Sequence, residues 1–153
     1  MLSTYQNQYN PDKHAVATLE TPRIMIVDDN IEFLEELQEM LFQSGYETEV
    51  VCDSDRAFTV AHVIKPHLIL IDLKMTPKSG FQVADELRHS AQMKDIPIIA
   101  MTGFFTEKEH VLMMKLCGIK AFILKPFKPV NLIAKIEFAL GRRQEVRNED
   151  NFL

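Results

Sequence analysis

Cysteine is scarce in this chain: only Cys52 and Cys117 are present, far apart. They form no CxxC pair, no zinc spacing and no disulfide framework, so a reducing, cytoplasmic setting is expected. An excess of basic charge is also missing. Lys and Arg number 17 against 22 Asp and Glu, for a formal net charge of −5, which argues against general binding of DNA, RNA or an anionic membrane. No apolar run approaches the roughly 20 residues that a membrane helix needs. The first residues, MLSTYQNQYNPDKH, lack the basic start and apolar stretch of a secretory signal. No segment repeats at a fixed period. What remains is 153 residues, 46% hydrophobic and 25% charged, the composition of one soluble globular domain.

Residues 1–22 are polar and aperiodic, and read as a flexible or loosely docked extension. Residues 142–153 read as a C-terminal tail of mixed charge. Between them, residues 23–141 alternate between two kinds of segment. RIMIV (23–27) is too short for a helix and reads as a buried strand. Asn30 can cap a helix whose apolar positions are Leu34, Leu37 and Leu41, and Gly45 stops it. YETEV (46–50) alternates like an outer strand. Asp53 or Ser54 can cap a second helix that runs to about Ile64. HLILID (67–72) is the most apolar strand. A third helix follows at 80–93, a fourth strand at 96–101, a fourth helix at 106–117, a fifth strand at 121–124 and a fifth helix from about Pro129. Five strand-then-helix units imply an α/β fold, a doubly wound five-stranded parallel sheet flanked by five helices. In such sheets ligands sit beyond the carboxyl ends of the strands.

Those ends carry chemistry. The first strand stops at Asp28-Asp29, the third at Asp72, the fourth at Thr102 and the fifth at Lys125-Pro126. Like charges about 4 Å apart repel by about 4 kcal/mol at an effective dielectric near 20, so three gathered carboxylates need compensation. A divalent cation with oxygen ligands supplies it, and Mg2+ suits the set. A cation, an ammonium, a hydroxyl and a spare carboxylate together suit phosphoryl transfer, with a carboxylate as the nucleophile. The first strand-to-helix turn, VDDN, has no glycine, which disfavours a flavin- or nucleotide-binding sheet. Each residue also has a plainer reading. Asp28-Asp29 could be a charge pair at a helix N-terminus, Lys125 a surface lysine, Thr102 a turn residue and Phe122 simple core.

The segments IMIVDDN, LILIDLKMTPKSG, IIAMTG and FILKPF together resemble the receiver domain of two-component response regulators, over about residues 23–141. The resemblance implies a flavodoxin-like fold of the receiver type. It also implies that Asp72 is the phosphoacceptor. Asp28, Asp29, Asp72 and the backbone carbonyl of Lys74 would hold Mg2+. Thr102 and Lys125 would engage the phosphoryl group, and Thr102 and Phe122 would act as the switch pair. The Lys125-Pro126 bond is cis in that family. The chain is then expected to be no classical enzyme, catalysing only its own phosphorylation and dephosphorylation.

The chain departs from the usual pattern at Thr76, where the family often has proline. Pro77 comes next and Gly80 keeps its place, so a locally altered loop with an intact site is expected. Phe122 lacks the hydroxyl of the commoner tyrosine. Lys74 and Phe104, beside the expected pocket, cannot orient an attacking water, which predicts slow self-dephosphorylation. Lys74 also stands where an aspartyl-nucleophile hydrolase has its second acid. A fold-only binding module would need a broken acid site, and every key residue is present. The five histidines (14, 62, 67, 89 and 110) show no close metal spacing.

Leu132, Ile133, Ile136 and Leu140 suffice to seat the fifth helix on the sheet. Val130, Ala134 and Phe138 form a second apolar stripe, which implies a partner or a homodimer unless a terminal segment covers it. The expected partners are a histidine kinase or histidine phosphotransfer protein as phosphodonor, and a downstream protein bound by the surface of the fourth helix, fifth strand and fifth helix. With little chain after residue 141, output is expected through protein contact, with no nucleic acid and no membrane; a truncated longer regulator would read the same.

Overall fold

The computed structural model describes residues 20–103 and 108–142. Most of the expected N-terminal extension and C-terminal tail, and Phe104, lie outside the described residues. The elements run β1 (Arg23–Val27), α1 (Ile31–Gln43), β2 (Glu47–Val51), α2 (Ala57–Ile64), β3 (Leu68–Asp72), α3 (Gly80–Arg88), β4 (Ile98–Thr102), α4 (Lys108–Leu116), β5 (Ala121–Leu124) and α5 (Pro129–Ala139). All neighbouring strands pair in parallel, in the order β2-β1-β3-β4-β5.

The sheet is buried on both faces, which is why its central strands read as unbroken apolar runs. Side chains alternate along each strand, and the core divides accordingly. Met25, Val27, Ile69 and Ile71 face one layer, with Ala61, Val83, Leu87 and Met114 of α2, α3 and α4. Ile24, Ile26, Leu68 and Leu70 face the other, with Leu34, Leu37, Leu41, Leu132 and Ile136 of α1 and α5. Each of these side chains larger than alanine contributes about 1.5–3 kcal/mol by leaving water. β2 turns Glu47 and Glu49 to solvent, and β5 has four residues.

Local chemistry sets the helix ends. Asn30 caps α1 by accepting a hydrogen bond from the Phe33 N–H at 3.1 Å. Ser79 and Gln82 form a capping box at the start of α3. Of the boundaries that differ from the sequence pattern, two have a visible cause. A 3-10 turn (Ser54–Arg56), capped by Asp53, precedes α2, because the Ser54 hydroxyl is buried and accepts the Lys78 N–H at 2.9 Å. α3 stops at Arg88, five residues short of the apolar pattern, because the chain turns at Ser90 and tucks Met93 into the core.

Among the described residues no helix is long and apolar enough to cross a membrane.

Candidate functional site

The chain steps from β1 to β2 on one side, then to β3 on the other. The strand order therefore reverses between β1 and β3, and a crevice opens beyond their carboxyl ends. Asp28 follows β1 directly. Its N–H still donates to the Val51 carbonyl of β2 at 3.1 Å, which fixes its backbone as a continuation of the sheet. Its side chain is buried, 1% exposed. Oδ1 accepts the Asn30 N–H at 2.9 Å, and Oδ2 accepts from Lys125 Nζ at 2.5 Å. Asp29, next along the loop, is exposed.

Asp72 is the last residue of β3. Its Oδ1 accepts the Lys74 N–H at 3.3 Å, and its Oδ2 lies 3.6 Å from Lys125 Nζ. Carboxylate oxygens of Asp28, Asp29 and Asp72 all lie within 4.8 Å of one another. Thr102, the last residue of β4, is buried, and its carbonyl accepts the Lys125 N–H at 2.8 Å. That bond ties the ends of β4 and β5 together and brings Lys125 to the crevice. The Lys125-Pro126 and Thr76-Pro77 bonds are both cis. The loop carrying Thr76 and Pro77 still returns to Gly80, whose N–H donates to the Leu73 carbonyl at 3.0 Å. A Cβ at Gly80 would meet the Asp72 carbonyl oxygen and stand 2.8 Å from Leu73 Cα, so glycine is required there by space.

The electrostatics follow from this crowding. Burial pushes the Asp72 carboxyl above its ordinary value. Lys125 pulls it down, Asp28 pushes it up, the Lys74 N–H pulls it down and Asp29 pushes it up. One ammonium faces three carboxylates, and the uncompensated negative charge favours a further cation. Three carboxylates with converging oxygens are the donor set of a hard divalent ion, so the residues fit Mg2+.

Asp28, Asp29, Asp72 and Lys125 therefore meet in one crevice, with Lys74 and Thr102 on its border. Phe122 does not join them. It is buried in the core layer of Met114 and Ile119. The pattern along the sequence left one neighbour unnoticed: Phe33, whose ring lies under the Lys125 ammonium, 3.9 Å from the ring centroid. Asn30 was legible as a cap, and Phe33 stands three residues on, but nothing in the spacing announces the contact with Lys125.

The profile of the response regulator receiver domain matches residues 24–137. The DNA-binding response regulator MtrA of Mycolicibacterium paratuberculosis is 32% identical over 123 residues, covering 80% of this chain and 53% of that protein. The chain spans about half the length of the curated relatives it matches. Among solved structures, the Vibrio cholerae chemotaxis protein CheY4 has a TM-score of 0.74 at 27% identity, covering 78% of this chain and 98% of its own. The receiver domain of a Pseudomonas aeruginosa sensor histidine kinase, with magnesium coordinated in its active-site cleft, has a TM-score of 0.73 at 25% identity, covering 79% of this chain and 98% of its own. The fold, the strand-end residues and the profile agree, and the chain belongs to the response regulator receiver-domain family of two-component signalling.

Proposed function

We propose that this receiver domain is a phosphoacceptor switch and that Asp72 takes the phosphoryl group. The observation that carries the reading is the meeting of Asp28, Asp29 and Asp72 with Lys125 at 2.5 and 3.6 Å from two of them. A carboxylate oxygen of Asp72 attacks phosphorus, and the bond from phosphorus to the donor imidazole nitrogen breaks. The electron pair stays on the imidazole. The donor is a histidine kinase or a histidine phosphotransfer protein. Asp28, Asp29, Asp72 and the Lys74 carbonyl would hold Mg2+, as the magnesium-bound relative supports. Bound there, the ion supplies charge stabilisation to the phosphoryl oxygens. Asp28 and Asp29 offer it carboxylate oxygens, while Lys125 pairs with the incoming charge and Thr102 donates its hydroxyl.

Phosphorylation then shifts a two-state population, with Thr102 and Phe122 as the moving pair. Output leaves by the surface of α4, β5 and α5. Leu112, Met113, Leu116, Leu124, Val130 and Phe138 are all exposed there, and patches of this kind mark protein contacts. A protein target or a second copy of the chain binds there, in the cytoplasm.

The test is incubation with Mg2+ and acetyl phosphate. Intact mass should rise by one phosphoryl group, and Asp72→Asn should abolish the rise. An unchanged mass in the parent chain, or an undiminished rise in the variant, refutes the assignment.

A further inference from the structure

We propose that Phe33 is a positioning residue for Lys125, holding its ammonium over the acid crevice by a cation–π contact. The proposal deepens the phosphoacceptor reading and rests on it for its catalytic meaning.

The ammonium lies 3.9 Å from the Phe33 ring centroid, well inside the range where the negative face of a ring attracts a cation. The ring is itself braced. Phe127, two residues past Lys125, meets it edge to face at 6.1 Å between centroids and 81° between planes, an arrangement favoured by ring quadrupoles. Both rings are partly buried against the core layer beneath α1 and α5. The backbone under Phe33 is fixed by the same loop that fixes the acids. Asn30 donates its N–H to Asp28 Oδ1 and accepts the Phe33 N–H on its side chain. Carboxylate, cap and ring are therefore set by one short segment, Asp28 to Phe33.

The ring supplies something that a fourth acid could not. Asp28 is at once the nearest partner of Lys125 and a member of the cation-binding trio. When Asp28 turns its charge to a cation, Lys125 loses that anchor. An acid in place of Phe33 would hold the ammonium but would add negative charge to a crevice that must receive a phosphoryl group. A neutral ring holds the ammonium and adds none. It also covers one side of the ammonium against water, so the remaining donors point toward Asp28 and Asp72.

The test uses the full chain and two readouts. In the first, initial rates of phosphorylation by acetyl phosphate with Mg2+ are compared for the parent, Phe33→Leu and Phe33→Tyr, each with Lys125 and with Lys125→Met. Phe33→Leu should slow the reaction about fivefold, equivalent to about 1 kcal/mol. Phe33→Tyr should restore it to within about twofold, and Phe33→Leu should add no slowing once Lys125 is Met. In the second, NMR of the metal-free protein should show the Lys125 side-chain methylene protons shifted upfield by the ring in the parent and in Phe33→Tyr, and not in Phe33→Leu. A parent-like rate for Phe33→Leu, or equal slowing with Met at position 125, would assign Phe33 to packing alone and overturn the proposal. So would ordinary methylene shifts in the parent. Thermal melts identify a variant that fails to fold, and Phe33→Met, unbranched and better able to fill the gap left by the ring, then takes the place of Phe33→Leu. If the parent takes up no phosphoryl group, the functional reading fails, and the NMR shifts alone decide whether the ring holds the lysine.

Discussion

Removing the ammonium while leaving the acids in place is the most direct perturbation of the crevice, and Lys125→Met does so while keeping an apolar stem. In the folded protein Lys125 Nζ stands 2.5 Å from Asp28 Oδ2 and 3.6 Å from Asp72 Oδ2. At an effective dielectric near 20, these pairs have gross attractions of roughly 7 and 5 kcal/mol, against which the dehydration of the lysine must be set. The net loss is smaller. Removing one partner of a buried pair costs about 3–5 kcal/mol. The lower end applies here, because the Lys125 side chain is 22% exposed and Asp28 keeps the Asn30 N–H. A loss of about 3 kcal/mol corresponds to a fall of about 10 °C in the melting midpoint for a chain of this size. The assay is thermal and urea denaturation in chelator. Asp28→Asn/Lys125→Met should recover most of the loss, giving a coupling energy of about 2 kcal/mol between the two positions. Added Mg2+ should raise the midpoint of Lys125→Met more than that of the parent, since it replaces a missing charge. A loss below about 1 kcal/mol in the single variant, or simple additivity in the double, would show that Asp28 does not depend on Lys125 for its burial.

Asp72→Asn should raise the melting midpoint at neutral pH in chelator. The folded state holds the Asp72 proton more tightly than the unfolded chain does, so ionisation costs stability as pH rises through the folded value. The gain should vanish below pH 3.8, the ordinary value, and a gain that persists there contradicts the assignment. Gly80→Ala should cost about 3 kcal/mol, because its Cβ meets backbone of Asp72 and Leu73; urea denaturation with an unchanged midpoint would disprove the clash. Phe138→Asp should weaken self-association in sedimentation, since Phe138 is 42% exposed on α5, and an unchanged mass would count against a dimer through that face. The phosphorylated protein should lose its phosphoryl group slowly, because Lys74 offers no acid or amide to orient a water; decay within seconds in the purified protein would dispose of that expectation.

The strands and the acid crevice were legible because two simple signals coincide. Ile24 to Val27 and Leu68 to Ile71 are apolar without interruption, as strands covered on both sides must be, and a charged residue ends each run. Parallel pairing sets Asp28, Asp72 and Lys125 at the same end of the sheet. Contacts between side chains far apart in sequence were not legible. The Ser54 hydroxyl under the Lys78 N–H altered the start of α2, and the burial of Met93 shortened α3. Neither alters the local apolar pattern on which a periodicity argument relies. Phe33 escaped notice for the same reason. A partly buried aromatic on α1 looks like packing until the lysine beyond β5 is seen over its ring.

The glutamates on β2 have a consequence for molecules at high concentration. Among the described residues the outer flank of that strand pairs with no further strand, and an edge of that kind is a template on which a second polypeptide can extend the sheet. Glu47 and Glu49 are exposed on β2, with Glu47 paired to Arg23 of β1 at 3.1 Å, so an identical neighbour approaching side by side would bring the Glu49 carboxylates of the two copies together. That charge discourages fibre growth along the sheet edge, while Val130 and Phe138 of α5, exposed among the described residues, lie on another part of the surface and suit a contact that closes on itself.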